Sequence, residues 1–285
     1  MTIETEIAQI GNTFIHNKAA RLWLPEWIMP DFANAEIPDE ADLWAESATQ
    51  KYPIGAQLSM NDCLYRYARS GEAMSAVSFL KCLYTQCPGK AGNSAGAGFE
   101  GAAYKAVAAG GTAIKIADTA ATKNLYEGAL LVIYNGTDKC NDQYTVIGND
   151  ASDGTYTILY IAPPGLKNAQ TTSYGITVYL NPYMDIRAFS TGGGYASAAG
   201  FAKFDISAAG KFFWLLTAGR VSGITGASTW PGQTQYRRDV YANTDGSVIG
   251  GDATTIYYQR IGYLLARTAS DYGDNQIMLQ LDEAK

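Results

Sequence analysis

The stretch YPIGAQLSMNDCLYRYARSG, residues 52–71, predicts a β-hairpin and with it a mostly-β fold. Apolar and polar residues alternate from 56 to 60, which is the period of a strand with one buried face. Asn61-Asp62 is a turn dipeptide, and residues 64–69 alternate again after it. The hairpin therefore opens the folded body with two strands whose faces differ in polarity.

Short β-branched or aromatic runs continue this pattern further along the chain. Five of them lie at 112–116, 129–134, 144–147, 156–161 and 176–180. Turn formers such as NGTD and PPG separate the runs. This spacing predicts a small barrel or sandwich of its own.

The C-terminal part predicts further strands of the first core. Residues 211–217 form a continuous apolar run that predicts a buried strand, and residues 220–224 are expected to form its neighbour. Runs 255–266 and 276–281 predict an antiparallel pair, whereas 225–251 predict a long polar excursion.

Two segments between the hairpin and the five runs lack the strand pattern. Residues 72–86 favour a helix or a mixed segment, and 88–98 have the composition of a flexible loop.

The N-terminal segment, residues 1–50, differs from the body in charge and composition. Its first 48 residues hold nine Asp and Glu against Lys18 and Arg21, and three of the five Trp. Residues 2–21 predict a short amphipathic helix and 41–48 a helical turn, while three prolines interrupt the region between them. An apolar segment that cannot build its own core usually lies on another protein, so an extended docking arm is predicted.

The overall composition excludes several classes of function. The chain of 285 residues has 47% hydrophobic and 17% charged residues, so it is expected to fold. Its net charge of −6 comes from the arm, and no basic stripe is present to bind nucleic acid. No run approaches the length of a membrane span, no signal sequence is expected, and four cysteines do not predict a disulfide framework.

The residues available for catalysis are few, so no enzyme, cofactor or metal site is predicted. His16 is the only histidine and lies in the arm, which excludes a histidine-based nucleophile system or zinc site in the body. Carboxylate pairs such as Asp150 with Asp153, or Asp245 with Asp252, are expected to be turn residues rather than acid–base pairs. The twenty tyrosines predict protein interfaces, with a glycan groove as the alternative.

Three motifs resemble capsid-associated proteins of tailed bacteriophages, which are described as head decoration, cement or minor capsid proteins. They are KYPIGAQL…LYRYARSG, GKFFWLLTAGRVSGI and QRIGYLLART…DNQIMLQLDE, within residues 51–71 and roughly 210–281. The resemblance covers about a third of the chain and excludes the arm.

The resemblance implies a structural protein on the capsid surface of the virion, which binds and stabilises the major capsid lattice. Its expected partners are the major capsid protein and further copies of itself, most plausibly as a homotrimer. Large apolar residues of the arm are expected to anchor it, since such residues contribute most of the binding energy at interfaces. They are Trp23, Leu24, Trp27, Ile28, Phe32, Leu43 and Trp44.

The predicted organisation is a β-sandwich or barrel core with a second small β lobe and an extended N-terminal arm. The arm covers 1–50, the core 51–100 and 183–285, and the inserted lobe 101–182. Three alternatives remain open: a glycan- or receptor-binding tail or fibre component, a carbohydrate-active enzyme, and the major capsid protein itself.

Overall fold

The computed structural model describes residues 6–10, 12–16, 20–24, 36–74, 82–85, 98–134, 142–188, 197–223, 238–243, 245–251, 258–266 and 276–282. The described chain is mostly β with antiparallel sheets, which confirms the predicted fold class. The chain divides into two compact units. Unit 1 comprises Met1–Glu26, Ala35–Gln86 and Asp185–Lys285, and unit 2 comprises Trp27–Asn34 and Cys87–Met184.

The strands are numbered in chain order. They are β1 (Glu6–Ile10), β2 (Asn12–His16), β3 (Ala20–Trp23), β4 (Gln57–Met60), β5 (Cys63–Arg69), β6 (Cys82–Thr85), β7 (Gly98–Ala102), β8 (Ala113–Ile116), β9 (Leu130–Tyr134), β10 (Asp142–Asn149), β11 (Thr157–Ile161), β12 (Gly175–Tyr179), β13 (Ile186–Arg187), β14 (Ser197–Phe201), β15 (Phe212–Val221), β16 (Asp239–Ala242), β17 (Val248–Gly250), β18 (Arg260–Ala266) and β19 (Gln276–Gln280). One turn of 3-10 helix, Ala41–Trp44, confirms the helical turn predicted at 41–48. Over the described ranges, no helix has the length and apolarity needed to cross a membrane.

Unit 1 contains one large antiparallel sheet, of which thirteen strands are described. Its main path runs β1-β2-β3-β4-β5-β15-β19-β18-β16-β17, and β6, β13 and β14 pair beside that path. The predicted hairpin is confirmed as β4 and β5, and Asn61 and Asp62 have φ angles of 52° and 60° at its turn. Positive φ at both central residues matches the twist of the two strands. The predicted antiparallel pair is also confirmed, as β18 and β19.

Strand β15 corrects the prediction of two neighbouring strands at 211–217 and 220–224. One ten-residue strand, Phe212–Val221, continues through Ala218-Gly219 and pairs with both β5 and β19. Gly219 has a φ of 114°, and a Cβ there would lie 2.8 Å from the carbonyl oxygen of Asp62. The glycine therefore permits a close approach to the hairpin turn rather than ending the strand.

The N-terminal segment also differs from its prediction. The amphipathic helix expected at 2–21 is wrong, because strands β1, β2 and β3 occupy this part of the chain. Strand β3 pairs with β4 along its whole length, and Leu22 is fully buried. Isoleucine and threonine favour strands. The edge of β4 also offers unpaired backbone groups, and β3 forms hydrogen bonds with them.

Short strands lie within two segments for which a helix or mixed segment and a polar excursion were predicted. Strand β6 lies within 72–86, where a helix or mixed segment was expected, and residues 75–81 and 86 of that segment lie outside the described ones. The loop predicted at 88–98 lies outside the described residues except for Gly98, where β7 begins. The polar excursion at 225–251 contains β16 and β17. Pairing with a neighbouring strand outweighs weak local preference at β6, β16 and β17.

The described part of unit 2 forms a six-stranded antiparallel sheet that curls on itself. Its order is β7-β12-β9-β10-β11-β8, and a bridge between Ala103 and Ile116 joins the end of β7 to β8. All five predicted runs are strands, and β7 is an addition that the sequence did not reveal. Alternate residues point inward and are almost fully buried, among them Ile114, Leu131 and Leu159.

Candidate functional site

The most exposed large apolar side chain among the described residues is Trp44, whose exposed fraction is 50%. It ends the 3-10 turn Ala41–Trp44, while the neighbouring Leu43 is buried at 2% exposure. Asp39 and Asp42 brace the start of this turn, since each carboxylate accepts a hydrogen bond from the other residue's backbone N–H, at 3.2 and 2.9 Å. The turn thus buries Leu43 and directs Trp44 to the surface.

Backbone and side-chain bonds fix the turn to unit 1. Ser47 exchanges two backbone hydrogen bonds with Phe212 at the start of β15, at 2.8 and 2.9 Å. The Glu46 carboxylate accepts hydrogen bonds from the Ser207 backbone N–H, at 2.7 Å, and from its hydroxyl, and it lies 3.6 Å from the Lys211 ammonium. Burial opposes ionisation of Glu46, but these hydrogen bonds and the Lys211 charge outweigh it and hold its pKa below the ordinary value.

Lys203 holds the Trp44 ring. Its ammonium nitrogen lies 4.6 Å from the centre of the Trp44 ring and 5.5 Å from the centre of the Tyr65 ring. The same nitrogen donates a hydrogen bond of 3.2 Å to the Tyr65 hydroxyl. Burial raises the pKa of Tyr65, so the phenol remains protonated and neutral. Trp44, Lys203, Tyr65, Glu46, Ser207 and Lys211 are called the Trp44 patch from here on.

The four described residues among the seven predicted anchors differ in how exposed they are. Trp44 is exposed, Trp23 is partly buried in β3, and Leu24 and Leu43 are buried at 2% each. The remaining three, Trp27, Ile28 and Phe32, lie outside the described residues. The two leucines therefore correct the prediction, because they pack inside their own chain and present no surface to a partner.

The sequence missed the residues that hold Trp44 in place. Lys203, Ser207 and Lys211 lie in the segment that leads into β15. No local motif connects this segment with Trp44, since the contact forms only when unit 1 folds. A covarying pair in an alignment of homologues is the kind of signal that reveals such a contact.

A second exposed surface lies on the outer face of unit 2. Leu130 and Tyr179 are direct partners on β9 and β12, and both side chains are exposed. Tyr134, also exposed, stands opposite Gly175, where an added Cβ would lie 3.5 Å from its ring. Thr177 lies between these tyrosines on the same face of β12. We call this surface the tyrosine face.

The carboxylates weighed for catalysis are engaged in structural hydrogen bonds. Asp150 accepts a hydrogen bond of 2.6 Å from the Tyr160 hydroxyl. Asp153 accepts two backbone hydrogen bonds within its own turn, from Thr155 and Tyr156, and these hold its pKa below the ordinary value. Asp245 accepts from the backbone and hydroxyl of Ser247, as expected of turn residues.

The remaining candidates for chemistry are Asp252, His16 and Cys63. Asp252 lies outside the described residues. His16 ends strand β2, opposite Arg21 and Glu6 in the sheet register. Cys63 is a buried free thiol. In the parts of the chain that the structure describes, no group of three or more His, Cys, Asp and Glu could hold a metal ion.

Comparison of the chain with protein-family models, with curated proteins and with solved structures gives no match. Function is therefore inferred from the two surfaces and from the sequence motifs.

Proposed function

We propose that this chain is a structural protein of a tailed-bacteriophage virion, a decoration or cement protein that binds and stabilises the major capsid lattice. The observation that carries the proposal is Trp44, an indole that is half exposed and yet held by Lys203 and by a braced turn. Tryptophan is enriched among the residues that dominate binding energy at protein interfaces. A side chain that is already ordered loses less conformational entropy when a partner covers it.

The proposal changes the mechanism expected from the sequence. Seven apolar anchors along an extended arm were predicted, whereas Leu24 and Leu43 are buried within unit 1. The proposed contact therefore centres on the Trp44 patch rather than on a long apolar ribbon. Partner binding by Trp27, Ile28 and Phe32 stays a prediction.

The proposed partners are the major capsid protein and further copies of this chain, as a homotrimer on the capsid surface. Closed symmetric oligomers are the usual form of soluble assemblies, and a capsid offers three-fold positions that a trimer can match. The proposal includes no catalytic activity and no contact with nucleic acid or membrane.

The test is binding to heads of the phage that encodes this chain, assembled without it. Wild-type protein is expected to cosediment with these heads. Trp44→Ala is expected to weaken binding by about 30-fold, the equivalent of about 2 kcal/mol. Tyr258→Ala is the matched control, because Tyr258 is also an exposed aromatic residue of unit 1. Absence of wild-type binding, or equal binding by the Trp44 variant, contradicts the proposal.

A second candidate function, glycan or receptor binding by a tail or fibre component, is favoured by the tyrosine face. Exposed rings at Tyr134 and Tyr179, with the hydroxyl of Thr177 between them, offer both stacking surfaces and hydrogen-bonding groups. Binding of the full-length wild type on a glycan array, lost in Tyr134→Ala and retained in Tyr258→Ala, would favour this candidate over the first.

A further inference from the structure

The surface around Trp44 carries an excess of negative charge. Five carboxylates lie in the segment that contains the turn: Glu36, Asp39, Glu40, Asp42 and Glu46. Three ammonium groups lie against this segment: those of Lys51, Lys203 and Lys211. Five negative and three positive charges leave a net charge of −2.

Two of the lysines form ion pairs and Lys203 contacts two aromatic rings, whereas three of the carboxylates have no charged partner among the described residues. Lys51 lies 3.0 Å from Asp42, and Lys211 lies 3.6 Å from Glu46. Glu36, Asp39 and Glu40 are exposed, and none of them forms an ion pair with any described residue. The unbalanced charge therefore lies at the exposed surface of the segment that leads into the turn of Trp44.

Burial and the negative charge of these carboxylates raise the pKa of two buried tyrosines. Burial raises the pKa of Tyr52 to about 12, and the charges of Asp42, Glu36 and Asp39 add to that rise. The charge of Glu40 acts in the same direction on Tyr65, which also contacts Lys203. Asp39 and Glu40 stand at the start of the turn that Trp44 ends, so their carboxylates and the indole belong to one short segment of the surface.

We infer that the Trp44 patch, with Glu36, Asp39 and Glu40, binds a basic protein segment that carries arginine. This inference rests on the proposed function and names the chemistry of the partner surface. The guanidinium group forms paired hydrogen bonds with carboxylates and packs its plane on aromatic rings. The exposed part of Trp44 supplies the ring, and the three carboxylates supply the acceptors.

The charge of the Trp44 patch and its three carboxylates distinguishes between the possible binding partners. An acidic segment would meet unpaired carboxylates, and the nearby Lys203 already contacts Trp44 and Tyr65. The same surface of a second copy would bring carboxylates against carboxylates, which is unfavourable. A basic segment is the occupant whose charge complements this surface.

The experiment selects peptides from a displayed random library on the immobilised full-length wild type, after depletion on Trp44→Ala. Enriched peptides are expected to contain arginine at about twice its frequency in the starting library or more, with apolar neighbours. A synthetic copy of the most enriched peptide then serves as the probe in fluorescence anisotropy. Binding is expected to weaken as salt is added, because exposed charges are screened.

Variants assign this binding to the named residues. Trp44→Ala is expected to weaken peptide binding about tenfold, and the combination of Glu36→Gln, Asp39→Asn and Glu40→Gln about tenfold at low salt but little at high salt. These substitutions keep the size and one acceptor oxygen of each side chain, and circular dichroism checks the fold. Glu100→Gln, on an exposed strand residue of unit 2, is expected to leave binding unchanged.

Three outcomes overturn the inference: enrichment of acidic or uncharged peptides, no peptide that depends on Trp44, or a triple variant that binds as wild type does. These outcomes are separable from the capsid proposal. If heads bind through Trp44 but the peptides are not basic, the inference fails and the proposed function stands. If basic peptides bind through Trp44 but heads do not, the proposed function fails and the inference stands.

Discussion

The ammonium group of Lys203 lies 4.6 Å from the centre of the Trp44 ring, and both residues belong to unit 1 although they are far apart in the chain. This contact and the hydrogen bond from Lys203 to Tyr65 keep an exposed indole in one position. An exposed tryptophan without such support samples several rotamers, and ordering it on binding costs free energy. Lys203 therefore positions Trp44, and under the proposed function this positioning favours binding of a partner.

The first prediction concerns the coupling between these two side chains. A double-mutant cycle with Trp44→Ala and Lys203→Gln is expected to give a coupling energy of about 0.5–1 kcal/mol, as for cation–π pairs near the surface. Urea denaturation followed by circular dichroism measures it. The parallel cycle with Lys51→Gln is expected to be additive, because Lys51 pairs with Asp42. A coupling energy near zero for Lys203 contradicts the contact.

The second prediction concerns pH and the anchored turn. The pKa of Glu46 is lowered in the folded state, so its ionised form stabilises the fold above its unfolded-state pKa of 4.5. This contribution is lost as the pH falls through the lower, folded-state pKa. Glu46→Gln is thus expected to be less stable than wild type at neutral pH, by about 1 kcal/mol, and the difference is expected to vanish in acid.

Denaturant midpoints measured from pH 7 downward check this dependence. Glu36→Gln is the control, since Glu36 is exposed and forms no ion pair with the described residues. A constant difference between Glu46→Gln and wild type across the whole pH range would show that the charge of Glu46 is not what stabilises the turn.

The third prediction concerns the close approach at Gly219. Alanine there must adopt a φ of 114° and place its Cβ 2.8 Å from the Asp62 carbonyl oxygen. Gly219→Ala is therefore expected to cost more than about 2 kcal/mol, from strain and overlap together. Gly210→Ala is the control, because its φ is 78° but its Cβ would meet only the Arg69 guanidinium, at 3.7 Å. Equal losses for both variants would mean that strand β15 does not pass against the hairpin turn.

The fourth prediction uses two neighbouring leucines on opposite faces of β9. Leu131 is fully buried, whereas Leu130 is exposed. Leu131→Ala is expected to lower the stability of unit 2 by about 2–5 kcal/mol, through lost burial and a cavity. Leu130→Ala is expected to change it by less than about 0.5 kcal/mol. Thermal unfolding of the full chain measures both, and a reversed order would place the sheet in the opposite register.

Local sequence pattern predicted most of unit 2, because each short β-branched run lies between strong turn formers. The hairpin of β4 and β5 was predictable for the same reason. At the N-terminus, Ile3, Ile7 and Ile10 have a spacing that fits one helix face, but pairing of β3 with β4 decides the structure. The spacing of apolar residues within a segment does not predict such a contact with a distant strand.

The candidate site was predictable only in part. Composition singled out Trp44, since three of the five tryptophans lie in the N-terminal segment. The same argument chose Leu24 and Leu43, which the fold buries, because apolar character alone does not tell an interface residue from a core residue. Lys203 and Glu46 gained their roles only from the packing of distant segments against the turn.

The bridge between Ala103 and Ile116 has a consequence for molecules held side by side at high density. Sheets of neighbouring proteins fuse most readily through outermost strands whose backbone groups have no partner. In unit 2 the two outermost described strands of the sheet, β7 and β8, meet at this bridge, so fewer backbone groups are open to pairing with another molecule. Neighbouring molecules would then contact this edge of unit 2 through side chains. Side-chain contacts depend on sequence and are therefore more specific than backbone pairing.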